Sequence, residues 1–277
     1  MLRKLIFSAG ICIATLAGNS QQLKTPAPSP TQSIKQDFGI STIELVYSRP
    51  GMKGRQIFGD LVPWGKVWRT GANNATRIKF SDDVSIGGHA LKAGEYAIYT
   101  VPNRGEWEII INKGSANWGT DYKEQDDIFR VKAKPVSLSQ PVETFTIQFD
   151  NVKPSSTDLT FLWDKTAVSV PITTDIDKKI MGQINDVMTK DTRPYFAAAS
   201  YYLQNDKDLN QALTWFDKAI EQNPKAYYIY YQKASALSKL GKKAEAIATA
   251  QKSMELATSQ NNQDYVELNR KLLEKLK

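Results

Sequence analysis

Residues 143–172 read ETFTIQFDNVKPSSTDLTFLWDKTAVSVPI. Every second residue is large and apolar in both ETFTIQFD (143–150) and TAVSVPI (166–172), and most of the residues between them are polar. Successive side chains of a β-strand point to opposite faces of the sheet. A period of two with one apolar face therefore predicts half-buried antiparallel strands.

The same alternation extends over most of the preceding chain. It appears in STIELVY (41–47), EWEIIIN (106–112) and DLTFLWD (158–164). Gly87-Gly88 separates two short apolar runs, a pairing typical of two-residue hairpin turns. Several short strands without a helical pattern between them predict an antiparallel β-sandwich or jelly-roll-like domain over residues 35–174.

After this region the hydrophobic period changes to that of a helix. Ile176, Ile180, Ile184 and Val187 recur at helical spacing, which predicts a connecting helix over residues 175–192. The expected fold class is therefore an α+β multidomain protein, with the β-domain first and an all-α domain after it.

Residues 193–277 carry a repeated pattern. In QALTWFDKAIEQNP (211–224), Ala212 and Ala219 are small and Pro224 ends the run; 34 residues after Ala212 comes Ala246. This spacing resembles tetratricopeptide repeats, in which small residues lie where paired helices touch. Residues 262–277 read as a terminal capping helix.

The resemblance to tetratricopeptide repeats implies a protein or peptide partner. Tyrosine suits such recognition because it combines apolar area with a hydroxyl group. The candidate partner-binding residues are Tyr195, Tyr202, Tyr227 and Tyr231. Packing between the helices is the alternative role for these side chains.

The N-terminus, MLRKLIFSAGICIATLAGNS, has the features of a signal peptide. Arg3 and Lys4 precede an apolar stretch that is too short for a transmembrane helix, and small residues follow it. We expect a signal peptide at residues 1–20, a flexible Pro/Ser/Gln-rich linker at 21–34, and an exported, periplasmic or secreted protein. Cleavage near residues 17–20 is favoured over lipidation of Cys12, because Ile11 rather than a small residue precedes this cysteine.

The charge pattern does not indicate a nucleic-acid partner. The formal net charge is +7 at pH 7. Basic residues are scattered among acidic and polar ones, without a run of five or six like charges. We interpret the basic excess as a solvated surface, and we expect no membrane span after signal cleavage.

Residues 54–80, GRQIFGDLVPWGKVWRTGANNATRIKF, are irregular but too apolar for a free linker. Connections of this length are usually functional or folded onto the core. The candidate ligand-binding residues are Arg55, Trp68, Arg69, Asn73, Asn74 and Thr76. In the alternative interpretation the arginines bind loop carbonyls, the asparagines form turns, and the segment is a structural plug.

Catalytic residues are not indicated. His89 is the only histidine and follows a tight turn, so a surface position is expected. The acidic residues Asp121, Glu124, Asp126 and Asp127 are interpreted as part of a solvated loop. The common hydrolase, zinc-protease and nucleotide-binding motifs are absent, and we expect no metal site and no cofactor.

Several blocks resemble a bacterial family catalogued as domain of unknown function 2911. They occur in the order SRPGMKGRQIFGDLVPWGKVWRTGANNATRIKF, LKAGEYAIYTVP, WEIIINK, NWG and DIFRV, and the resemblance covers about residues 35–175. It implies an exported bacterial protein with one β-domain here. It implies neither an activity nor catalytic residues.

Two functions follow from these features. The first is a non-enzymatic scaffold protein of the cell envelope that binds a small polar or anionic ligand, or a glycan, in the β-domain and a protein partner through the repeats. The alternative is a hydrolase acting on an anionic or sugar substrate, with Arg55 and Arg69 holding charge and His89 with a carboxylate moving protons.

Overall fold

The chain forms two compact units, residues 1–174 and 175–277. The computed structural model describes residues 25–114, 121–189 and 193–277. The expected signal peptide, residues 1–20, lies outside the described residues.

The first unit consists of two antiparallel sheets. Its strands are β1 (Thr31–Phe38), β2 (Ser41–Ser48), β3 (Thr76–Phe80), β4 (Val84–Ile86), β5 (His89–Leu91), β6 (Gly94–Val101), β7 (Trp107–Asn112), β8 (Asp127–Ala133), β9 (Val136–Asp150) and β10 (Ser156–Thr173). One sheet has the order β1-β2-β3-β6-β7-β8, and the other has the order β5-β4-β10-β9. Apolar residues of both sheets share one buried core, so the predicted two-sheet antiparallel fold is confirmed.

The long strand β10 contains both apolar runs of its part of the sequence. Leu159, Phe161 and Trp163 are buried at odd positions, whereas Val168 and Val170 are buried at even ones. In an unbroken strand, side chains alternate between the two faces, so a strand that buries its odd-numbered residues would turn the even-numbered ones, including Val168 and Val170, to solvent. The register shifts on either side of Asp164, whose φ is +50°, correct this parity. A bulge therefore joins two predicted strands into one.

The first strand begins earlier than the sequence suggested. β1 pairs with β2 along its whole length, from Thr31 opposite Ser48 to Phe38 opposite Ser41. The expected linker at residues 21–34 therefore extends too far, because residues 31–34 belong to a strand. β1 is an edge strand with few apolar residues, and Pro28 and Pro30 just before it suggested a linker.

The second unit consists of α1 (Asp177–Met188), α2 (Tyr195–Gln204), α3 (Leu209–Gln222), α4 (Tyr227–Lys239), α5 (Lys243–Ser259) and α6 (Gln263–Lys275). Helices α2 to α6 pack in chain order. Ala199, Ala212, Ala236 and Ala246 are fully buried in the shared core. Small side chains at these positions let neighbouring helices approach closely, as the repeat pattern predicts.

The connecting helix is anchored to the repeats by one carboxylate. Asp177, at the start of α1, accepts hydrogen bonds from the Tyr201 hydroxyl at 2.7 Å and from Lys207 at 2.9 Å. These bonds lower the pKa of Asp177, with the Lys207 bond as the largest cause. α1 is shorter than the expected range of 175–192, and residues 190–192 lie outside the described residues.

The β4–β5 hairpin supports a test of how the two sheets meet. Gly87 and Gly88 form its turn with φ values of +55° and +88°. A Cβ at Gly87 would lie 2.3 Å from Val131 Cγ1 on β8, whereas a Cβ at Gly88 would meet open space. We expect Gly87→Ala to lose about 1–3 kcal/mol more unfolding free energy than Gly88→Ala, because only the former overpacks the contact with β8. Urea unfolding of both variants measures this difference; equal losses would contradict the contact.

Candidate functional site

The segment between β2 and β3, residues 49–75, connects the two sheets and is called the bridging segment below. At its start, Met52 donates its N–H to Glu143 O at 2.8 Å, and Phe145 on β9 donates to Pro50 O at 2.9 Å. Further along, Trp68 and Thr100 on β6 exchange backbone hydrogen bonds of 2.7 and 2.9 Å. The bridging segment is therefore bonded to both sheets.

The inner side of the bridging segment is part of the core. Ile57, Phe58 and Val62 are buried there. The Trp68 ring stacks on Trp163 of β10 with centroids 5.7 Å apart, and Phe58 lies 5.0 Å from the Trp107 ring. The structural interpretation of the segment therefore holds for this side, which is part of the buried core of the sandwich.

Arg55 supports the structural interpretation only in part. Its Nε donates to Met52 O at 2.9 Å and its Nη2 donates to Gly51 O at 2.6 Å. The side chain is nevertheless exposed, and a guanidinium has five N–H groups. Two loop carbonyls therefore orient Arg55 without using all of its donors.

Arg69 differs from Arg55 in its side chain, which donates no hydrogen bond to a described residue. Hydrogen bonds of its two neighbours fix its backbone. On one side Trp68 pairs with Thr100, and on the other the Thr70 hydroxyl bonds to that of Thr100 at 3.1 Å. The Arg69 Nε is buried and donates to no described residue. Within the described part of the chain, the guanidinium also forms no ion pair.

The two arginines line one depression of about 200 Å³. It is lined by Ser29, Pro50, Arg55, Leu61, Val62, Trp68, Arg69, Gly71, Ala72 and Trp163. Three of the six candidate ligand-binding residues, Arg55, Trp68 and Arg69, therefore meet. Trp163 was not predicted as a site residue, because the alternating pattern of residues 158–164 identified it only as a core residue of a strand.

The asparagines line a second depression of about 320 Å³ with Thr31, Ser48 and Arg77. Asn73 has a φ of +58° and donates to Ser48 Oγ at 3.2 Å, so it forms a turn as the structural interpretation expected. Asn74 is exposed beside it.

The sixth candidate does not face either depression. Thr76 is fully buried and donates its hydroxyl to Thr70 O at 2.5 Å. Its role is to hold the end of the bridging segment against β3. The six residues therefore divide into two depressions and one internal hydrogen bond, rather than lining one site.

The acidic stretch is not a solvated loop throughout, which corrects the expectation from the sequence. Arg130 on β8 binds Asp127 at 2.9 Å, Glu108 at 3.0 Å and Glu124 at 2.9 Å. It also donates to the Tyr122 hydroxyl at 2.9 Å. Spacing along the chain did not reveal this network, because Glu108 comes from a neighbouring strand.

Tyr122 places an aromatic ring over the outer face of the six-stranded sheet. Its hydroxyl donates to Asp127 at 2.7 Å, and its ring lies 4.9 Å from that of Tyr99. Burial, followed by the hydrogen bond to Asp127, raises the pKa of Tyr122. The arrangement holds residues 121–127 against the sheet.

His89 lies on the surface of the β4–β5 hairpin. It is exposed, and its ring stacks on Phe129 with centroids 5.0 Å apart. It lines neither of the two depressions, and neither do carboxylates of the described residues. The structure therefore does not bring His89 together with Arg55 and Arg69.

Within residues 25–114, 121–189 and 193–277, no three His, Cys, Asp or Glu side chains are grouped so as to hold a metal ion. No helix in these ranges combines the length and the apolar character required to cross a membrane.

The four candidate tyrosines of the repeats occupy two places. Tyr202 on α2 packs on the Trp215 ring, 4.8 Å away, and Tyr195 packs against the helical core. Tyr227 and Tyr231 on α4 instead both contact Tyr265 on α6, at 4.9 and 5.6 Å. Tyr265 lies in the predicted capping helix, residues 262–277, and was not among the predicted partner-binding residues.

Two paired-helix units followed by a further helix, after a two-sheet β-domain, define a tetratricopeptide repeat protein with an N-terminal β-domain. Models of the tetratricopeptide repeat match residues 192–225 and 215–248. Residues 29–172, more than half of the chain, match the model of the family described as "Protein of unknown function (DUF2911)". The chain belongs to this family, and both resemblances seen in the sequence are confirmed.

Among solved structures, a crystal structure of a tetratricopeptide repeat domain protein from Salinibacter ruber is similar to part of the chain. The identity is 23%, the match covers 30% of this chain and 91% of that one, and the TM-score is 0.28. The search of curated proteins found no match.

The Arg130 network can be tested against an exposed ion pair on the same strand. Arg130→Gln leaves three carboxylates without their cation, and Asp127 is largely buried, so we expect a loss of about 1–3 kcal/mol in unfolding free energy. Lys132 pairs with Glu106 in solvent, and Lys132→Gln should change stability by less than about 0.5 kcal/mol. Urea unfolding compares the two; equal effects would show that Arg130 is not the anchor of residues 121–127.

Proposed function

We propose that this chain is an exported, non-enzymatic binding protein of the cell envelope. Its helical repeats hold a protein or peptide partner, and its β-domain holds a small polar or anionic ligand. Membership of the DUF2911 family assigns no activity. The tetratricopeptide repeats support the partner-binding half of the proposal.

The observation that carries the proposal is a group of tyrosines on two helices. Tyr227 and Tyr231 on α4 each contact Tyr265 on α6, and all three are half-buried. We call these three residues the tyrosine cluster. Their rings are held in place by mutual contact, which lowers the entropy lost when a partner orders them.

The hydroxyl groups of the cluster are not equivalent. The Tyr227 hydroxyl accepts a hydrogen bond from Asn262 at 2.8 Å. Among the described residues, the hydroxyls of Tyr231 and Tyr265 have no hydrogen-bond partner. A tyrosine hydroxyl is protonated at neutral pH and can donate. Burial, and then the neighbouring Tyr227, raise the pKa of Tyr265 further. The two hydroxyls are therefore available to peptide carbonyls.

The hydrolase alternative lacks a supporting observation. It requires a base or acid close to the arginines, as general acid–base catalysis needs groups within hydrogen-bond reach of the substrate. Among the described residues, the lining of the arginine depression contains neither a carboxylate nor His89. Binding without catalysis fits this depression better.

Export is supported by the N-terminal sequence alone. Cell fractionation and intact-mass measurement of the recovered protein test it. A mature chain that begins close to residues 18–21 and comes from the envelope or medium agrees with the proposal. An uncut chain in the cytosol would contradict it.

Peptides selected from a random display library on the purified chain test the tyrosine cluster. Tyr231→Phe and Tyr265→Phe keep the rings and remove hydroxyls that have no described partner. Each should weaken peptide binding about 3- to 10-fold, the usual worth of one hydrogen bond, without lowering the melting temperature. Isothermal titration calorimetry provides the affinities.

Tyr230→Phe is the matched control for this experiment. The Tyr230 hydroxyl donates to Pro224 O at 3.1 Å and is outside the tyrosine cluster. This variant should bind the peptides with unchanged affinity. Peptides that bind the two cluster variants as tightly as the unaltered chain would remove the tyrosine cluster from the proposed interface.

A further inference from the structure

The depression that Arg55 and Arg69 share has an excess of hydrogen-bond donors. Arg55 gives two N–H groups to the carbonyls of Gly51 and Met52, which leaves three of its five donors. Arg69 donates none to a described residue. The depression therefore combines two positive charges with many donors that have no acceptor on the described chain.

The position of Arg69 is fixed before any ligand binds. Its peptide neighbours bond to Thr100, and its own carbonyl accepts from Thr76 N at 3.2 Å. The Trp68 indole N–H donates to Gly71 O at 3.1 Å, which closes the turn that follows Arg69. A guanidinium on a rigid turn loses less entropy on binding than one on a mobile loop.

The Arg69 Nε shows that the described part of the protein does not satisfy this guanidinium. It is buried, and it has no acceptor among the described residues. A buried donor without a partner costs free energy, and the cost is larger for a charged group. An oxyanion bound to the part of the Arg69 guanidinium that lines the depression stabilises the charge and so recovers part of this cost.

The size of the depression limits the ligand. About 200 Å³ is below the roughly 300–1,000 Å³ of typical small-molecule pockets. It accommodates an oxyanion group, either free or at the end of a longer molecule, but not a whole oligosaccharide. Guanidinium groups match the planar or tetrahedral oxygens of such groups through paired N–H donors.

We propose that the Arg55–Arg69 depression binds an oxyanion group, that is, a carboxylate, phosphate or sulfate. The inference rests on the ligand-binding half of the proposed function and names its chemical class. Arg69 supplies a planar fork of N–H donors that have no acceptor among the described residues. Arg55, held by two loop carbonyls, supplies the second charge from the rim.

Nuclear magnetic resonance titration of the full chain tests the site. Potassium phosphate, potassium sulfate and potassium acetate are each added at constant ionic strength balanced with potassium chloride. We expect saturable shifts of the Trp68 indole N–H and of the amides of residues 69–72 with at least one of the three salts. The salt with the tightest binding distinguishes a tetrahedral from a planar oxyanion, and chloride alone should produce no saturable shift.

Variants distinguish binding of an oxyanion at this site from nonspecific attraction of anions by the net positive charge of the protein. Arg69→Gln and Arg55→Gln should each weaken oxyanion binding about tenfold or more, as expected for a charge-assisted hydrogen bond. Arg69→Lys keeps the charge and loses the fork, so it should also bind more weakly than the unaltered chain. Arg104→Gln is the matched control, because Arg104 lies over the Trp64 ring and lines neither depression.

Two results would overturn the inference: no saturable shift with any of the three salts, or equal weakening by Arg104→Gln and Arg69→Gln. Arg55 is exposed, so Arg55→Gln provides a readout even if Arg69 variants unfold. Failure here leaves the tyrosine cluster untouched, because that surface is in the other unit and is measured with peptides.

Discussion

Four aromatic rings from separate parts of the chain meet where the bridging segment closes the sandwich. Trp68 stacks on Trp163, and Phe145 lies 5.0 Å from Trp68 and 5.5 Å from Trp163. Phe58 contacts both tryptophan rings at 6.3–6.4 Å. Trp163 and Phe145 belong to one sheet, while Trp68 is bonded through its backbone to the other. Such ring pairs add to the free energy of apolar burial, and here they hold the two sheets and the segment as one core.

The outer side of the same segment takes its geometry from this core. Arg69 follows Trp68 directly, so the stacking of Trp68 fixes the backbone position from which the Arg69 side chain extends. Gly71 adopts a φ of +148°, and a Cβ there would lie 2.9 Å from Ser48 O. The turn after Arg69 is therefore possible only because residue 71 lacks a side chain. The same segment thus packs its apolar side chains into the core and places the two arginines on its outer side. It can therefore be a structural plug and a candidate binding site at once.

The fold could be predicted largely from the sequence because its signals are local. Alternating apolar residues predicted β2, β7 and β9, and small residues at fixed spacing predicted the paired helices. The edge strand β1 was missed because few of its residues are apolar, and the unity of β10 was missed because a bulge at Asp164 reverses its parity. Both errors arise where pairing with a neighbour, rather than local pattern, defines the strand.

The candidate site was only partly predictable. Arg55 and Arg69 were identified because a guanidinium suits carboxylate or phosphate, and Trp68 because binding sites often have an aromatic wall. Thr76 and Asn73 looked similar in sequence but serve a buried hydrogen bond and a turn. The carboxylates around Arg130, and Tyr265 beside Tyr227, depend on which elements become neighbours. Such pairings across elements leave no trace in the spacing of one sequence.

The central claim is that the bridging segment belongs to the core of the sandwich and does not open on its own. Native-state hydrogen exchange of the amides of Trp68 and Phe145 tests it most directly, because these N–H groups bond the segment to the two sheets. The account predicts that both exchange as slowly as the amide of Ile110 in the centre of β7, through unfolding of the whole β-domain. Exchange of the Trp68 amide through a local opening, much faster than that of Ile110, would contradict it.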